Sequence, residues 1–284
     1  MDLTVAIYGG QDCDGHHAKP WLDAFANGLS RHGIYPIRRP GSHRLPNADL
    51  VVFWSHKVGH VIEHQRNFGK DYLVLEHGYF GDRVNKFASA RFNGLNGSAQ
   101  NIMFISDAPS DRWEKHEVEV KPWKCDGEYA LILGQVDGDA SLVQSGFSKR
   151  WYSEAAVIAR NTFGLPVRFR PHPKSRPTTE INGARTLVGS LEEALDGAAF
   201  AITWNSTAGV NAVLYGVPTA ACDGGSMARP VAAHFPSGPI LKADRKPWLN
   251  HLAYCQWTKE EFASGEAWDH LRMKYGYHAR NAGS

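Results

Sequence analysis

Val167-Arg-Phe-Arg-Pro-His-Pro-Lys174 and, further along, Ala201-Ile-Thr-Trp-Asn-Ser-Thr-Ala-Gly-Val-Asn-Ala-Val-Leu-Tyr-Gly-Val-Pro218 decide how this chain reads. The first stretch alternates, so Arg168 and Arg170 share one face of a strand and Val167 and Phe169 the other. It runs into a histidine held between two prolines, which fix the backbone on either side. The second is an apolar strand that ends in Asn205-Ser206-Thr207 and becomes a helix. Val210, Val213 and Leu214 are that helix's apolar face, and Gly216 is its stop. The first amides of such a helix lack intrahelical partners and carry partial positive charge, which suits a phosphate. Asn205 or Ser206 also reads as an N-cap, worth about 1 kcal/mol. One hydroxyl can cap while the remaining amides bind an anion.

Around these strand ends lie other groups fit for a phosphate. Arg170 is placed to fork onto a diphosphate. His172 is placed to hydrogen-bond a phosphate oxygen or protonate a leaving diphosphate; the plainer reading is a turn-capping histidine. Lys174 adds charge, and Gly209 allows close approach at the helix start. Gln135 and the turn Asp137-Gly138-Asp139 follow the first strand of the same half.

Working outward, short apolar runs alternate with helical stretches. Strands are expected at Leu3–Tyr8, Leu50–Trp54, Tyr72–Leu75 and Asn101–Ser106, with helices at about Pro20–Arg31 and Val58–Asn67. A second series has strands at Tyr129–Leu133, Val167–Arg170, Phe200–Trp204 and Val217–Ala221. Its helices fall at about Lys149–Thr162, Leu191–Leu195 and Thr207–Tyr215. Ser190 and Glu193 form a capping box ahead of the second of these. This rhythm predicts an α/β chain with two largely parallel sheets and helices on both faces. The pattern breaks between Asp107 and Gly127. The expected organisation is a domain over 1–122, a second over 123–246, and an aromatic-rich helical segment over 247–284 that packs back across both. Ligands of such sheets bind beyond the carboxyl ends of the strands, here in a cleft between the domains.

Composition narrows the class. Of 284 residues, 43% are hydrophobic and 21% charged, which provides a core and argues against disorder. A net charge of +2 neither requires nor excludes a polyanionic partner. Arg31, Arg38, Arg39 and Arg44 nevertheless fall in one window without an acid. The four cysteines are scattered with no metal or redox spacing, which predicts a reduced, cytoplasmic protein. No signal peptide or membrane span is expected.

In the first half, Leu73-Val-Leu-Glu-His-Gly-Tyr-Phe-Gly-Asp-Arg83 delivers a carboxylate and an imidazole from a hydrophobic strand. Either serves a reaction that deprotonates a hydroxyl nucleophile. Strand alternation lets only one of Glu76 and His77 point at a given centre. Glu76 ranks slightly ahead, with a Glu76–Arg83 ion pair as the structural alternative. Gly9-Gly10-Gln-Asp12-Cys-Asp14-Gly-His16-His17 follows the first strand and does not match the dinucleotide fingerprint. Gly10, Asp14, His16 and Arg83 read as acceptor-side residues, and Asp12 or Asp14 as a third candidate base. No closed set of metal ligands is visible.

Arg-Pro-His-Pro, the Asn-Ser-Thr helix start and the Ala-Val-Leu-Tyr-Gly-Val-Pro exit resemble the donor domain of GT-B glycosyltransferases. Capsule-polysaccharide transferases, bacterial polysialyltransferases and teichoic-acid glycerophosphotransferases have similar patterns. The resemblance covers about Leu131 to Asp223. It implies two Rossmann-like domains facing a cleft and a nucleotide-sugar donor, with a UDP-sugar favoured and no obligatory metal. In those families the His-Pro histidine and the Ser/Thr of the helix start contact the donor, which maps onto His172, Ser206 and Thr207. They use an acidic residue before a glycine, or a His-Gly pair, as base; this sequence has both, so the resemblance does not choose between Glu76 and His77.

Leu75-Glu-His-Gly-Tyr-Phe-Gly-Asp-Arg83, Leu133-Gly-Gln-Val-Asp-Gly-Asp-Ala-Ser141, Phe169-Arg-Pro-His-Pro173, and Gln256-Trp-Thr258 with Gly265-Glu-Ala-Trp268 resemble small bacteriophage glycosyltransferases. Some of those glucosylate hydroxymethylated pyrimidines in DNA. The resemblance implies DNA containing 5-hydroxymethylcytosine or hydroxymethyluracil as acceptor, in a host-cell cytoplasm. The arginine window would neutralise phosphates, and aromatic residues would stack a flipped base. The alternatives are a surface-polysaccharide glycosyltransferase, a nucleotide-sugar 2-epimerase of the same build, and a non-catalytic nucleic-acid-binding protein.

Overall fold

A computed structural model describes residues 3–9, 15–40, 45, 47–56, 58–98, 108–175, 180–238 and 240–274. The side chains of residues 15, 16, 273 and 274 are not described. The chain folds into two compact units. The first takes the chain up to Leu95 and again from Leu252 on; the second takes Asn96–Ser98 and the chain up to His251.

The first unit opens with β1 (Val5–Tyr8), α1 (Gly15–Arg31), β2 (Ile37–Arg39), β3 (Leu50–Trp54), α2 (Gly59–Asn67), β4 (Asp71–His77) and β5 (Ala88–Phe92). Helix α1 starts ahead of the expected Pro20, which lies inside it. Strand β5 pairs antiparallel with β4 and was not anticipated from its short Ala-Ser-Ala-Arg-Phe pattern. The expected strand at Asn101–Ser106 lies outside the described residues.

The second unit contains β6 (Tyr129–Leu133), α3 (Ala140–Gln144), α4 (Arg150–Phe163), β7 (Val167–Arg170), β8 (Arg185–Thr186), α5 (Leu191–Asp196), β9 (Ala198–Thr203), α6 (Ala208–Leu214), β10 (Thr219–Ala221) and β11 (Ala233–His234). The Ser190–Glu193 capping box is present at the start of α5. Gly216, at φ 83°, follows α6 in the left-handed region that favours glycine.

The C-terminal segment, expected to be helical, is interrupted by a short strand. After α7 (Lys246–Ala253), β12 (Gln256–Trp257) joins the first sheet beside β5, and α8 (Lys259–Ser264) and α9 (Glu266–Lys274) follow. A Thr258–Glu261 capping box starts α8, and Gly265 in the left-handed region ends it, which divides the aromatic-rich stretch. Phe262 and Trp268 pack edge-on against Phe25 of α1. Gly28 allows the close approach: a Cβ there would lie 2.0 Å from the Phe262 carbonyl oxygen.

The second sheet has the order β11-β10-β9-β6-β7-β8, all parallel. Counted within the unit, this is the 3-2-1-4-5-6 order of dinucleotide-binding folds, and its direction reverses between β6 and β9. The first sheet, β12-β5-β4-β3-β1-β2, reverses between β1 and β3. Residues just past β1, β3, β6 and β9 therefore occupy the positions where open α/β sheets place ligands. Buried side chains line both faces of the second sheet. Trp151, Tyr152 and Phe169 lie on one face, and Leu131, Leu195 and Ala212 on the other. Among the described residues no helix is long and apolar enough to cross a membrane.

Candidate active site

In the first unit, cross-strand register sorts the two candidate bases onto opposite faces. Glu76 pairs with Ser89, which pairs with Gln256; His77 pairs with Ala88, which pairs with Trp257. Directly opposed residues share a face. His77 thus lies on the side of Trp54, whose ring meets it edge-on at 5.3 Å. His17, in the first turn of α1, completes the group at 5.0 Å from His77 and 5.6 Å from Trp54.

Glu76 nonetheless remains close to the imidazole. Its Oε1 accepts the His77 backbone N–H at 2.9 Å and lies 4.0 Å from His77 Nε2. Both side chains are partly exposed, His77 at 33% and Glu76 at 25%, so both are accessible yet shielded. Ser89 Oγ donates toward the carbonyls of Glu76 and His77, fixing the strand end that carries them. Arg83 lies in the following loop, where its carbonyl accepts the Gly78 N–H at 2.9 Å. Gly10, Asp12 and Asp14 lie outside the described residues, as does the side chain of His16.

Just past β3, Ser55 has φ 60°, an uncommon conformation for a non-glycine residue. His56 follows, and its Nε2 is buried with no hydrogen-bond partner. Burial, aided by the nearby Arg66 guanidinium, brings its pKa down to about 4. His56 is therefore neutral at physiological pH.

In the second unit, His172 is held in a turn. Its Nδ1 accepts the Lys174 N–H at 3.1 Å and its carbonyl accepts the Ser175 N–H at 2.9 Å. Because Nδ1 is an acceptor, the proton of the neutral ring sits on Nε2, which makes Nε2–H a hydrogen-bond donor. Lys174 is exposed. Arg170 is less available than the sequence implied. Its Nε donates to the Ser190 carbonyl at 3.2 Å, and burial lowers its pKa against the opposing effect of Glu192.

The helix start is also more fully committed than expected. Ser206 Oγ accepts the Ala208 N–H at 3.2 Å, as an N-cap does, and Thr203 Oγ1 accepts the Ser206 N–H at 3.0 Å. Thr207, partly exposed, keeps its amide and hydroxyl without a partner among the described residues.

Asn205 is not an N-cap. Its Nδ2 donates to Asp223 Oδ2 at 2.9 Å and to the Ser141 carbonyl at 3.2 Å, while its Oδ1 lies 3.1 Å from Ser141 Oγ. Gln135 donates to Ser141 Oγ at 2.8 Å, and Asp139 accepts from both the amide and hydroxyl of Ser141. This network links the ends of β6, β9 and β10. It makes Asn205 and Gln135 framework residues of the loops they stand in.

Sequence reasoning missed Asp223, Ser141, Trp54 and Ser89. Asp223 had a readable signal, a carboxylate followed by Gly224-Gly225 directly after a strand. The role of Ser89 depends on strand register and had none. Among the described residues no group of three or more histidine, cysteine or carboxylate side chains is arranged to hold a metal ion.

Comparison with known proteins agrees on architecture. No protein-family model and no curated protein sequence matches the chain. Among solved structures it is similar to the β-Kdo 2,7 transferase of KpsC from Thermosulfurimonas dismutans, with a TM-score of 0.59 and 13% identity over 95% of this chain and 99% of that one. The β-Kdo 2,4 transferase of the same organism's KpsC gives a TM-score of 0.56 and 14% identity, covering 91% of this chain and 92% of that one. The fold is of the GT-B type.

Proposed function

We propose that the protein is a glycosyltransferase that moves a sugar from a nucleotide-sugar donor to a hydroxyl acceptor. The observation that carries the reading is the Glu76–His77 pair at the carboxyl end of β4, a base supported by a carboxylate. In this reading the first unit serves the acceptor and the second the donor. His77 takes the proton of the acceptor hydroxyl as its oxygen attacks the anomeric carbon. The bond from that carbon to the phosphate oxygen breaks, and the nucleoside diphosphate or monophosphate departs with the electron pair. Glu76 stabilises the imidazolium that forms. His172 Nε2–H, Lys174 and the Thr207 amide and hydroxyl receive the leaving phosphate, with Arg170 and Ser206 supporting from behind. A UDP-sugar remains the favoured donor. A cytoplasmic setting belongs to the same proposal, on the scattered cysteines.

A saccharide hydroxyl is the acceptor we favour. What weighs against DNA is the arginine window. Arg38 is paired with Asp23 at 2.8 Å, and Arg31 donates to the Ala263 carbonyl at 3.2 Å. The second reading, a hydroxymethylated pyrimidine in phage DNA, retains Arg39 in its favour. Arg39 ends β2 and is partly exposed.

The test is a donor screen read by mass spectrometry. UDP-, GDP- and CMP-sugars are supplied with saccharide acceptors or with DNA containing hydroxymethylcytosine. A mass gain on saccharide supports the favoured reading, and a gain on the nucleoside moves the assignment to DNA. Donor turnover into an epimer without any acceptor, or no turnover of any donor, overturns glycosyl transfer.

A further inference from the structure

Gln256 lies far from the candidate base in sequence, yet it is tied to the loop that begins directly after it. Its side chain is fully buried, at 0% exposure. Its Oε1 accepts the Tyr79 N–H at 2.7 Å and the Phe80 N–H at 3.3 Å, and its Nε2 donates to the Phe80 carbonyl at 3.4 Å. One amide thus satisfies three backbone groups of the loop leaving β4. Gly78 permits the approach, since a Cβ there would lie 2.8 Å from Gln256 Oε1 and 2.9 Å from Phe87 Cβ. Register continues the connection, because Gln256 pairs with Ser89, and Ser89 pairs with Glu76 and donates to the carbonyls flanking the base. The row Glu76–Ser89–Gln256 spans β4, β5 and β12 on one face.

We propose that Gln256 is a positioning residue for the Glu76–His77 pair. It holds the Gly78–Phe80 turn so that the end of β4 presents His77 at a fixed angle beside Trp54. The C-terminal segment thereby completes the acceptor-side site without touching substrate. The inference rests on the proposed transfer for its kinetic consequence, though its geometric consequence is independent of turnover.

Buried backbone N–H groups that lose their partner drive local rearrangement. Gln256→Ala is therefore expected to move the loop and, with it, the imidazole. Misplacement on the ångström scale lowers kcat by roughly 10²-fold when chemistry depends on orientation. Gln256→Glu keeps an acceptor oxygen for both amides and, protonated in its buried position, a donor for the Phe80 carbonyl; it should recover most of the loss. Gly78→Ala presses on the same clamp while leaving Gln256 in place.

The experiment records the ring resonances of His77 by NMR in the full-length protein and its three variants, alongside kcat, donor KM and melting temperature. Gln256→Ala and Gly78→Ala should both shift the His77 resonances and lower kcat with donor KM unchanged, and Gln256→Glu should restore both readouts. Unmoved His77 resonances in folded Gln256→Ala and Gly78→Ala would overturn the proposal, whatever their turnover. If Gln256→Ala does not fold, Gly78→Ala decides alone. If the wild type transfers no sugar, the glycosyltransferase reading fails while the resonances still test the positioning.

Discussion

His17 and His77 hold their rings 5.0 Å apart with planes inclined at 48°, although one stands in the first turn of α1 and the other at the end of β4. The edge of Trp54 packs against both. His17 thus meets the proposed base through ring packing, on the side where His77 also meets Trp54. His77→Gln should lower kcat by about 10²–10⁴-fold, the usual contribution of a general base. His17→Phe, which keeps an aromatic ring against Trp54, should cost far less. Steady-state kinetics on the two variants check this order, and equal losses would make His17 a partner in proton transfer.

Glu76 acts on the imidazole through charge, so its removal should weaken the base rather than abolish it. Glu76→Gln retains an oxygen for the His77 N–H and loses only the negative charge beside Nε2. The expected result is a fall in kcat smaller than that of His77→Gln, with donor affinity unchanged by calorimetry. A larger loss in Glu76→Gln than in His77→Gln would reverse the roles and make the carboxylate the base.

His172 offers a test that separates its turn from its chemistry. Asparagine in its place can accept the Lys174 N–H much as Nδ1 does, but it has no donor where Nε2–H stands. His172→Asn should therefore melt near the wild-type temperature while losing about 10²–10³-fold in kcat, the magnitude typical of one donor to developing negative charge. A variant that loses stability but keeps its turnover would assign His172 to the turn alone.

Asn205 and Thr207 are neighbours with opposite expectations. The Asn205 amide is spent on Asp223 and Ser141, so Asn205→Ala leaves polar groups stranded around a buried position. It should cost about 1–3 kcal/mol of stability in urea titration. Thr207 keeps its hydroxyl unspent, so Thr207→Ala should leave the urea midpoint nearly unchanged and weaken donor binding. Donor affinity falling more in Asn205→Ala than in Thr207→Ala would return Asn205 to direct contact.

Much of the architecture was legible because it depends on local pattern. The apolar runs at Leu50–Trp54 and Tyr129–Leu133 and the Ser190–Glu193 capping box carry their signal within a few residues, and each reappears as an element. Where tertiary pairing decided the outcome, the sequence was silent. Gln256–Trp257 is a strand only because β5 offers an edge, and a two-residue strand has no periodicity to read. The candidate site divides in the same way. Glu76, His77 and His172 stand out by residue type at strand ends. The commitment of Arg170 to a backbone carbonyl and of Asn205 to Asp223 depends on which loops meet, which spacing along the chain does not encode.

His56 supplies the pH dependence of stability. Its folded pKa of about 4 lies below the ordinary histidine value of 6.5, so the unfolded chain takes up a proton at a higher pH than the folded one. Its contribution to stability is therefore complete above about pH 6.5, declines as the pH falls through this window, and is gone below about pH 4. Partial exposure screens the effect, so the expected loss from this residue is about 1–2 kcal/mol. His56→Phe removes the titrating group and keeps a ring beside Phe53 and Tyr72, which His56 meets at 6.5 Å and 6.1 Å. Urea midpoints between pH 7 and pH 4 should fall less steeply for this variant than for the wild type. Parallel curves would mean that His56 protonates as easily in the folded chain as in the unfolded one, and the burial attributed to its ring would then be wrong.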